Sequence, residues 1–207
     1  MNALIFKTGV LLSFLFPLRY IQKFEYIYMY LYSGYVSRNF KFFGHSLIRG
    51  KFSSFKGGKY ITIGDGVAIG KYVTLTAWDE FQGTKYSPEI IIGDGTSIGD
   101  NAHITCINRI VLGKNVLLGK KVLITDNSHG NLSVEELNTA PLMRRLYSKA
   151  EIVIGNNVWI GENCSILPGT YIGDNAIIGS NSVVTKNVPA NSIAAGIPCE
   201  IIRKISE

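Results

Sequence analysis

Histidine is scarce in this chain of 207 residues: only His45, His103 and His129 occur, and one of them stands where a base would be useful. His129 follows Asp126 in the run TDNSHG, at the root of a long irregular stretch. Imidazole changes charge near neutral pH, so a histidine held beside a hydroxyl group can take its proton as the oxygen attacks a carbonyl. Asp126 is placed to orient that imidazole, to bond an acceptor, or to cap the corner in which it sits. Asn108 and Arg109, and Trp78 and Asp79, lie on other irregular stretches and are candidates for holding an acceptor. A zinc centre is a poorer reading, because no two histidines fall within 25 residues of each other. Cys106, Cys164 and Cys199 are scattered and odd in number, which argues against a disulfide framework and for a reducing cytoplasm. No metal site is expected.

What positions these groups is a rhythm. Aliphatic residues recur every sixth position, usually followed by Gly: Ile63, Ile69 and Leu75; Ile92, Ile98 and Ile104; Leu112, Leu118 and Ile124; then Ile154, Ile160, Ile166, Ile172, Ile178 and Val184. A period of six fits neither a helix nor a single amphipathic strand, so the chain must turn a corner every six residues. Three short strands joined by three corners close a triangular coil, and coils stacked at the ordinary strand spacing of roughly 4.8 Å pair each strand with the next one up. The fifteen hexads make five coils. The fifth position of each hexad is small (Val67, Ala102, Cys164, Ala176) and fills the prism beside the large aliphatic, which makes Cys164 a packing residue. Asn and Asp recur at the turns, where short polar side chains tolerate left-handed backbone.

The rhythm breaks in three places. Residues 76–91 are thrown out as one loop, Asn108 and Arg109 fill a two-residue slip, and a second loop over 130–150 ends with the hexads returning at Ile154 in unchanged phase. A loop that leaves a coil and returns without disturbing its register is more often functional than structural.

The hexads together with a histidine after an Asp-containing corner, the segment PLMRRLYSK and then VWIG at Val158 to Gly161 resemble the hexapeptide-repeat acyltransferases. Within them the match is to the sugar and xenobiotic O-acetyltransferase branch, similar to lipopolysaccharide and capsule O-acetyltransferases. The resemblance implies an all-β solenoid, a left-handed parallel β-helix, over residues 59–190. It implies acetyl-CoA as acyl donor, His129 as general base, and direct transfer to a sugar hydroxyl without an acyl-enzyme. It implies Gly161 and Gly179 where the thioester lies and, through the C-terminal stretch GSNSVVTKNVPANSIAAGIPCEIIRK, Thr185 and Lys186 as cofactor contacts. Lys186, Arg203 and Lys204 then face the nucleotide phosphates, and residues 191–207 form a C-terminal cap and cofactor-binding tail. Glu200 departs from the family pattern and is unfavourable beside a polyphosphate, so that either it points away or Lys204 compensates. The groove lies between subunits, so a homotrimer is implied. A related branch of the fold, the γ-type carbonic anhydrases, binds zinc through three histidines whose spacing this chain lacks. Alternatives are acetylation of a small soluble acceptor such as a free sugar, serine or an antibiotic, and a non-catalytic scaffold.

Residues 1–58 differ in kind. Ten of the chain's twenty-one Phe and Tyr residues lie before Val36, and no hexads appear there. The apolar run from Val10 to Leu18 is too short to span a bilayer. Two readings stand: helices that cover the open end of the solenoid, or an interfacial element that rests Lys7, Arg19 and Lys23 on a membrane, peripheral to the inner membrane. The net charge of +6 suits an anionic cofactor or surface. Its basic residues are dispersed and no nucleic-acid module is present, so nucleic acid is not an expected partner.

Overall fold

The computed structural model describes residues 2–50, 52–131 and 133–205. The hexads fold as a left-handed parallel β-helix with three flat faces. The first sheet stacks Phe42–Phe43, Ile61–Ile63, Glu89–Ile92, Arg109–Leu112, Ile152–Ile154 and Tyr171–Ile172. The second stacks Leu47–Ile48, Ala68–Ile69, Ser97–Ile98, Leu117–Leu118, Trp159–Ile160, Ile177–Ile178 and Ser192–Gly196, closed by Cys199–Lys204 running antiparallel. The third stacks Ser54–Lys56, Thr74–Ala77, His103–Cys106, Leu123–Thr125, Ser165–Ile166 and Val183–Val184.

Register follows the rhythm. Ile63, Ile92, Leu112, Ile154 and Ile172 sit directly over one another, as do Leu75, Ile104, Ile124, Ile166 and Val184 on the third face. These columns, with Val67, Val116, Val122, Val158, Cys164 and Ala176 beside them, form one continuous buried core. The corners are equally regular. Asn115, Asn157, Asn175 and Asn191 have φ between 53° and 58° and hydrogen-bond one to the next along the edge, Nδ2 to Oδ1, at 2.9–3.3 Å. Left-handed backbone and a short amide that can bond its neighbour explain why Asn is used there.

One coil precedes the recognisable hexads. Phe43, Ile48 and Phe55 lie in register with Ile63, Ile69 and Leu75, so the solenoid starts at Phe42 and not at Lys59. Its inward residues are five and seven apart, and two of them are aromatic, which hides the coil from a six-residue test.

The helices α1 (Asn2–Leu15) and α2 (Leu18–Ser37) come before this coil and are bent by 88° at Pro17. The second half of α2 faces the solenoid. There Ser33, 2 % exposed, accepts the Ile48 N–H at 2.8 Å and donates to the Met29 carbonyl at 2.7 Å, so a helix hydroxyl covers the first strand of the second sheet. Tyr32 and Val36 pack on the core nearby. α1 buries no residue at all. No single helix among the described residues is long and apolar enough to cross a membrane.

Candidate active site

All three interruptions leave from one edge of the prism, where the third sheet hands over to the first. The first is a hairpin, Glu80–Phe81 against Thr84–Lys85, turned by Gln82 (φ 49°) and Gly83 (φ 74°). Positive φ at both central positions matches the twist of a two-residue hairpin. The third opens with Ser128–His129 paired antiparallel to Leu146–Tyr147, so that a two-stranded root fixes His129 opposite Leu146. The Tyr86 hydroxyl donates to the Leu146 carbonyl at 3.0 Å and Gln82 Nε2 to the Leu142 carbonyl at 3.3 Å, which ties the two insertions together.

Between them lies a cleft of about 220 Å³. Trp78 and Phe81 form one wall, with rings 5.7 Å apart and perpendicular, and Lys56 Nζ rests 3.4 Å over the Trp78 ring. His129 meets Phe81 at 5.4 Å and 71°, and its ring makes no hydrogen bond or ion pair among the described residues. Thr76, Thr105 and His103 supply the floor from two successive coils, and Asn127 closes the side nearest the loop root. Asn127 is itself held, with Nδ2 donating to the Thr105 carbonyl at 3.2 Å and to Asp126 at 3.1 Å.

Asp126 is fully buried and turned to the coil beneath. Its carboxylate accepts the backbone N–H groups of Ile107 and Asn108, each at 2.9 Å, and the Cys106 thiol at 3.1 Å. With Asn127 that makes four donors, so of the roles open to it in the sequence Asp126 fills the corner-capping one and does not touch the imidazole. Burial, then the Asp126 charge, push the Cys106 thiol far up, and burial raises Cys164 and Cys199 as well; all three are buried, unreactive thiols.

His103 was not singled out by sequence reasoning as an acceptor contact, nor were Thr76, Thr105 and Phe81. His103, Thr76 and Thr105 sit at outward positions of the third sheet that look ordinary until coils are aligned, and Phe81 reaches the cleft only because its hairpin folds back. One signal was present. Every hexad aliphatic of the first two sheets is followed by Gly, and none of the third is: Leu75, Ile104, Ile124, Ile166 and Val184 precede Thr76, Thr105, Thr125, Leu167 and Thr185. At the Gly corners a Cβ would collide with the next coil, for example 2.6 Å from the Gly155 carbonyl oxygen at Gly113. The third corner has room for side chains, and it is where the cleft forms.

Partial desolvation holds the His103 imidazole below its usual 6.5, although its own surface is open beside Thr74 and Leu123. Protonation there opposes folding: the stability is whole above 6.5 and declines as pH falls through the lowered value. The melting midpoint of His103→Gln therefore falls less than that of the unaltered chain between neutral and acid pH in paired thermal melts.

The remaining sequence candidates are spread more widely. Asn108 lines a second, adjoining hollow of about 370 Å³ with Tyr86 and Arg145. Arg109 is clamped between coils by Glu89 at 3.2 Å and Glu151 at 2.7 Å, and Asp79 faces Lys59 at 3.0 Å and Tyr60 at 3.1 Å, away from His129. Hydrogen bonding to Lys59 holds the Asp79 carboxyl below the usual carboxylate range. Gly161 and Gly179 sit at the opposite edge of the third sheet, and their N–H groups donate to the Ile178 and Ala194 carbonyls at 2.8 and 2.9 Å. Thr185 and Lys186 do share the His129 edge, two strands further along, because Ile124, Ile166 and Val184 are in register. Lys186 pairs with Glu200 at 3.3 Å, so Glu200 turns toward a cation that was expected to meet phosphate. Arg203 and Lys204 lie exposed on the last strand, opposite Ile193 and Ser192.

Residues 151–186 match the bacterial transferase hexapeptide model (six repeats). The chain is 41 % identical over 119 residues to the Escherichia coli K12 protein named "Putative lipopolysaccharide biosynthesis O-acetyl transferase WbbJ", covering 56 % of this chain and 60 % of that one. It is 37 % identical over 127 residues to the galactoside O-acetyltransferase of the same organism, covering 59 % and 57 %. The chain thus spans somewhat under two thirds of the length of these relatives. Among solved structures, a galactoside acetyltransferase in complex with coenzyme A is 32 % identical over 74 % of this chain and 66 % of that one, with a TM-score of 0.56. A hexapeptide-repeat acetyltransferase of Vibrio cholerae complexed with acetyl coenzyme A is 26 % identical over 70 % and 71 %, with a TM-score of 0.58. Repeat, fold and relatives together place the chain in the hexapeptide-repeat transferase family.

Proposed function

We propose that the chain transfers an acetyl group from acetyl-CoA to a sugar hydroxyl, with His129 as general base and a polysaccharide or lipopolysaccharide precursor as acceptor. The observation that carries this reading is the setting of His129, a ring without a hydrogen-bond partner among the described residues, opening into a cleft with an aromatic wall and a hydroxyl-bearing floor. Trp78 and Phe81 offer flat apolar faces to the C–H face of a sugar ring, while Thr76, Thr105, His103 and Asn127 offer hydrogen-bonding groups to its hydroxyls. The relatives named for lipopolysaccharide and galactoside O-acetylation support the class of acceptor.

Acetyl-CoA supplies an acetyl thioester when bound. His129 takes the proton of the acceptor hydroxyl as its oxygen bonds to the acyl carbon; the carbon–sulfur bond breaks, and the proton passes on to the leaving sulfur. Thr185 and the cations Lys186, Arg203 and Lys204 lie further along the solenoid, where a nucleotide with phosphates would be met. Gly161 and Gly179 stand across the third sheet from His129, so a site that used both edges would draw them from two copies of the chain, an arrangement compatible with a homotrimer.

Phe81→Ala raises the KM for the acceptor about tenfold and leaves that for acetyl-CoA unchanged, since Phe81 lies on the cleft wall only. The acceptor itself is found by presenting nucleotide sugars, lipid-linked oligosaccharides and simple glycosides with acetyl-CoA and following mass. Acetylation confined to amines, or to none of these, would overturn the sugar reading.

A further inference from the structure

The helices that precede the solenoid have a surface that the chain itself does not cover. α1 buries nothing, and its apolar residues point in every direction around the helix: Leu4, Ile5 and Phe6, on successive steps of about 100°, are 72 %, 64 % and 73 % exposed. A helix that is apolar all round belongs in an apolar medium. A protein partner, or a second copy, covers one side of such a helix; lipid covers all of it. The two hydroxyls in α1 already bond backward within the helix, Thr8 to the Leu4 carbonyl at 2.9 Å and Ser13 to the Val10 carbonyl at 2.7 Å, so neither requires water.

α2 has a different character. Its opening turns carry Arg19 and Lys23 four residues apart, and beyond them come Tyr26, Tyr28 and Tyr30, rings with a polar tip suited to the boundary between hydrocarbon and water. Over α1 and α2 the charged residues are Lys7, Arg19, Lys23 and Glu25, a balance that favours an anionic surface. In the inner angle of the bend, Leu12, Phe16, Leu18, Ile21 and Phe24 line an almost wholly apolar hollow of about 450 Å³. The 88° bend prevents the pair from forming one straight rod, and α1 alone, at 14 residues, is about 21 Å long against a hydrocarbon core of about 30 Å.

We infer that α1 and the opening turns of α2 form a monotopic anchor, embedded from one side in a lipid bilayer with Arg19 and Lys23 among anionic headgroups. The long stem of Lys7 carries its ammonium back toward the headgroups. The Ser33 contact then holds the first coil of the solenoid close to the membrane surface. The anchor stands whatever group the cleft acetylates.

Flotation of the full chain with vesicles tests this, using phosphatidylcholine alone and phosphatidylcholine with phosphatidylglycerol. The chain floats with both, more with the anionic vesicles, and stays bound in high salt because insertion is apolar. Leu11→Glu with Phe14→Glu lowers the bound fraction about tenfold, and the melting midpoint is unchanged because α1 has no buried residue. Arg19→Gln with Lys23→Gln removes only the preference for anionic vesicles. The proposal fails if the chain stays in the dense fraction with both vesicles, or if the double glutamate variant floats as well as the original. It also fails if, with vesicles in excess, the original stays in a defined lipid-free oligomer that the double glutamate variant does not form, since the helices would then be covered by protein.

Discussion

His129→Ala lowers acetyl-CoA-dependent thiol release in the presence of acceptor by about 10²–10⁴-fold, the range expected when a positioned base is removed. The loss falls on kcat, because the cleft wall and the proposed cofactor contacts are untouched. His129→Gln loses nearly as much, since it restores a polar side chain but no base. Both variants melt like the parent: His129 is exposed and its ring makes no hydrogen bond among the described residues. Thiol release assayed beside thermal melts separates the cases, and rates equal to the parent's in His129→Ala would sink the catalytic reading and leave the solenoid a scaffold.

Asp126→Ala produces the largest loss of stability expected of any single side chain near the cleft. Its carboxylate is fully buried and satisfies the N–H groups of Ile107 and Asn108, the Cys106 thiol and the Asn127 amide. Removing it strands those donors away from water, at a cost of about 3–5 kcal/mol. For a chain of this size that lowers the melting midpoint by about 10 °C. Activity goes with it, because Asn127 and then His129 follow directly from that corner. Asp126→Asn keeps one acceptor oxygen but turns an NH₂ group toward N–H donors, so it recovers only part of the loss. Unchanged melting with lost activity in Asp126→Asn would instead give Asp126 the role of orienting the imidazole.

The fold was legible because the hexad residues are both local signal and global core: Ile124 marks a corner in the sequence and fills the column between Ile104 and Ile166 in space. The first coil was not legible, since Phe43, Ile48 and Phe55 reach the three aliphatic columns, one on each face, through corners of unequal length. At the cleft, His129 stood out because a loop begins there. His103 did not, because its place beside the other cleft residues depends on which coil it is stacked in and on a hairpin folding back over it. The glycines illustrate a different limit. Gly161 and Gly179 look like contacts for a ligand, yet a Cβ at either would lie 2.6 or 2.8 Å from the next coil, so stacking alone demands glycine there. A residue required by the scaffold carries no information about what the scaffold binds.

The strict register has a metrical consequence. Thr125 and Thr185 occupy the same edge two strands apart, so roughly 10 Å separates the rung of the His129 loop from the rung that leads into Lys186. That interval cannot be tuned continuously, because the chain can only gain or lose whole turns without throwing its aliphatic columns out of line. Excising residues 152–169 would bring the two levels one storey closer, while insertion of a similar turn would part them by the same step. The solenoid is thus a graduated gauge, and a molecule that must touch both levels is measured against it by length before any side chain reads its chemistry.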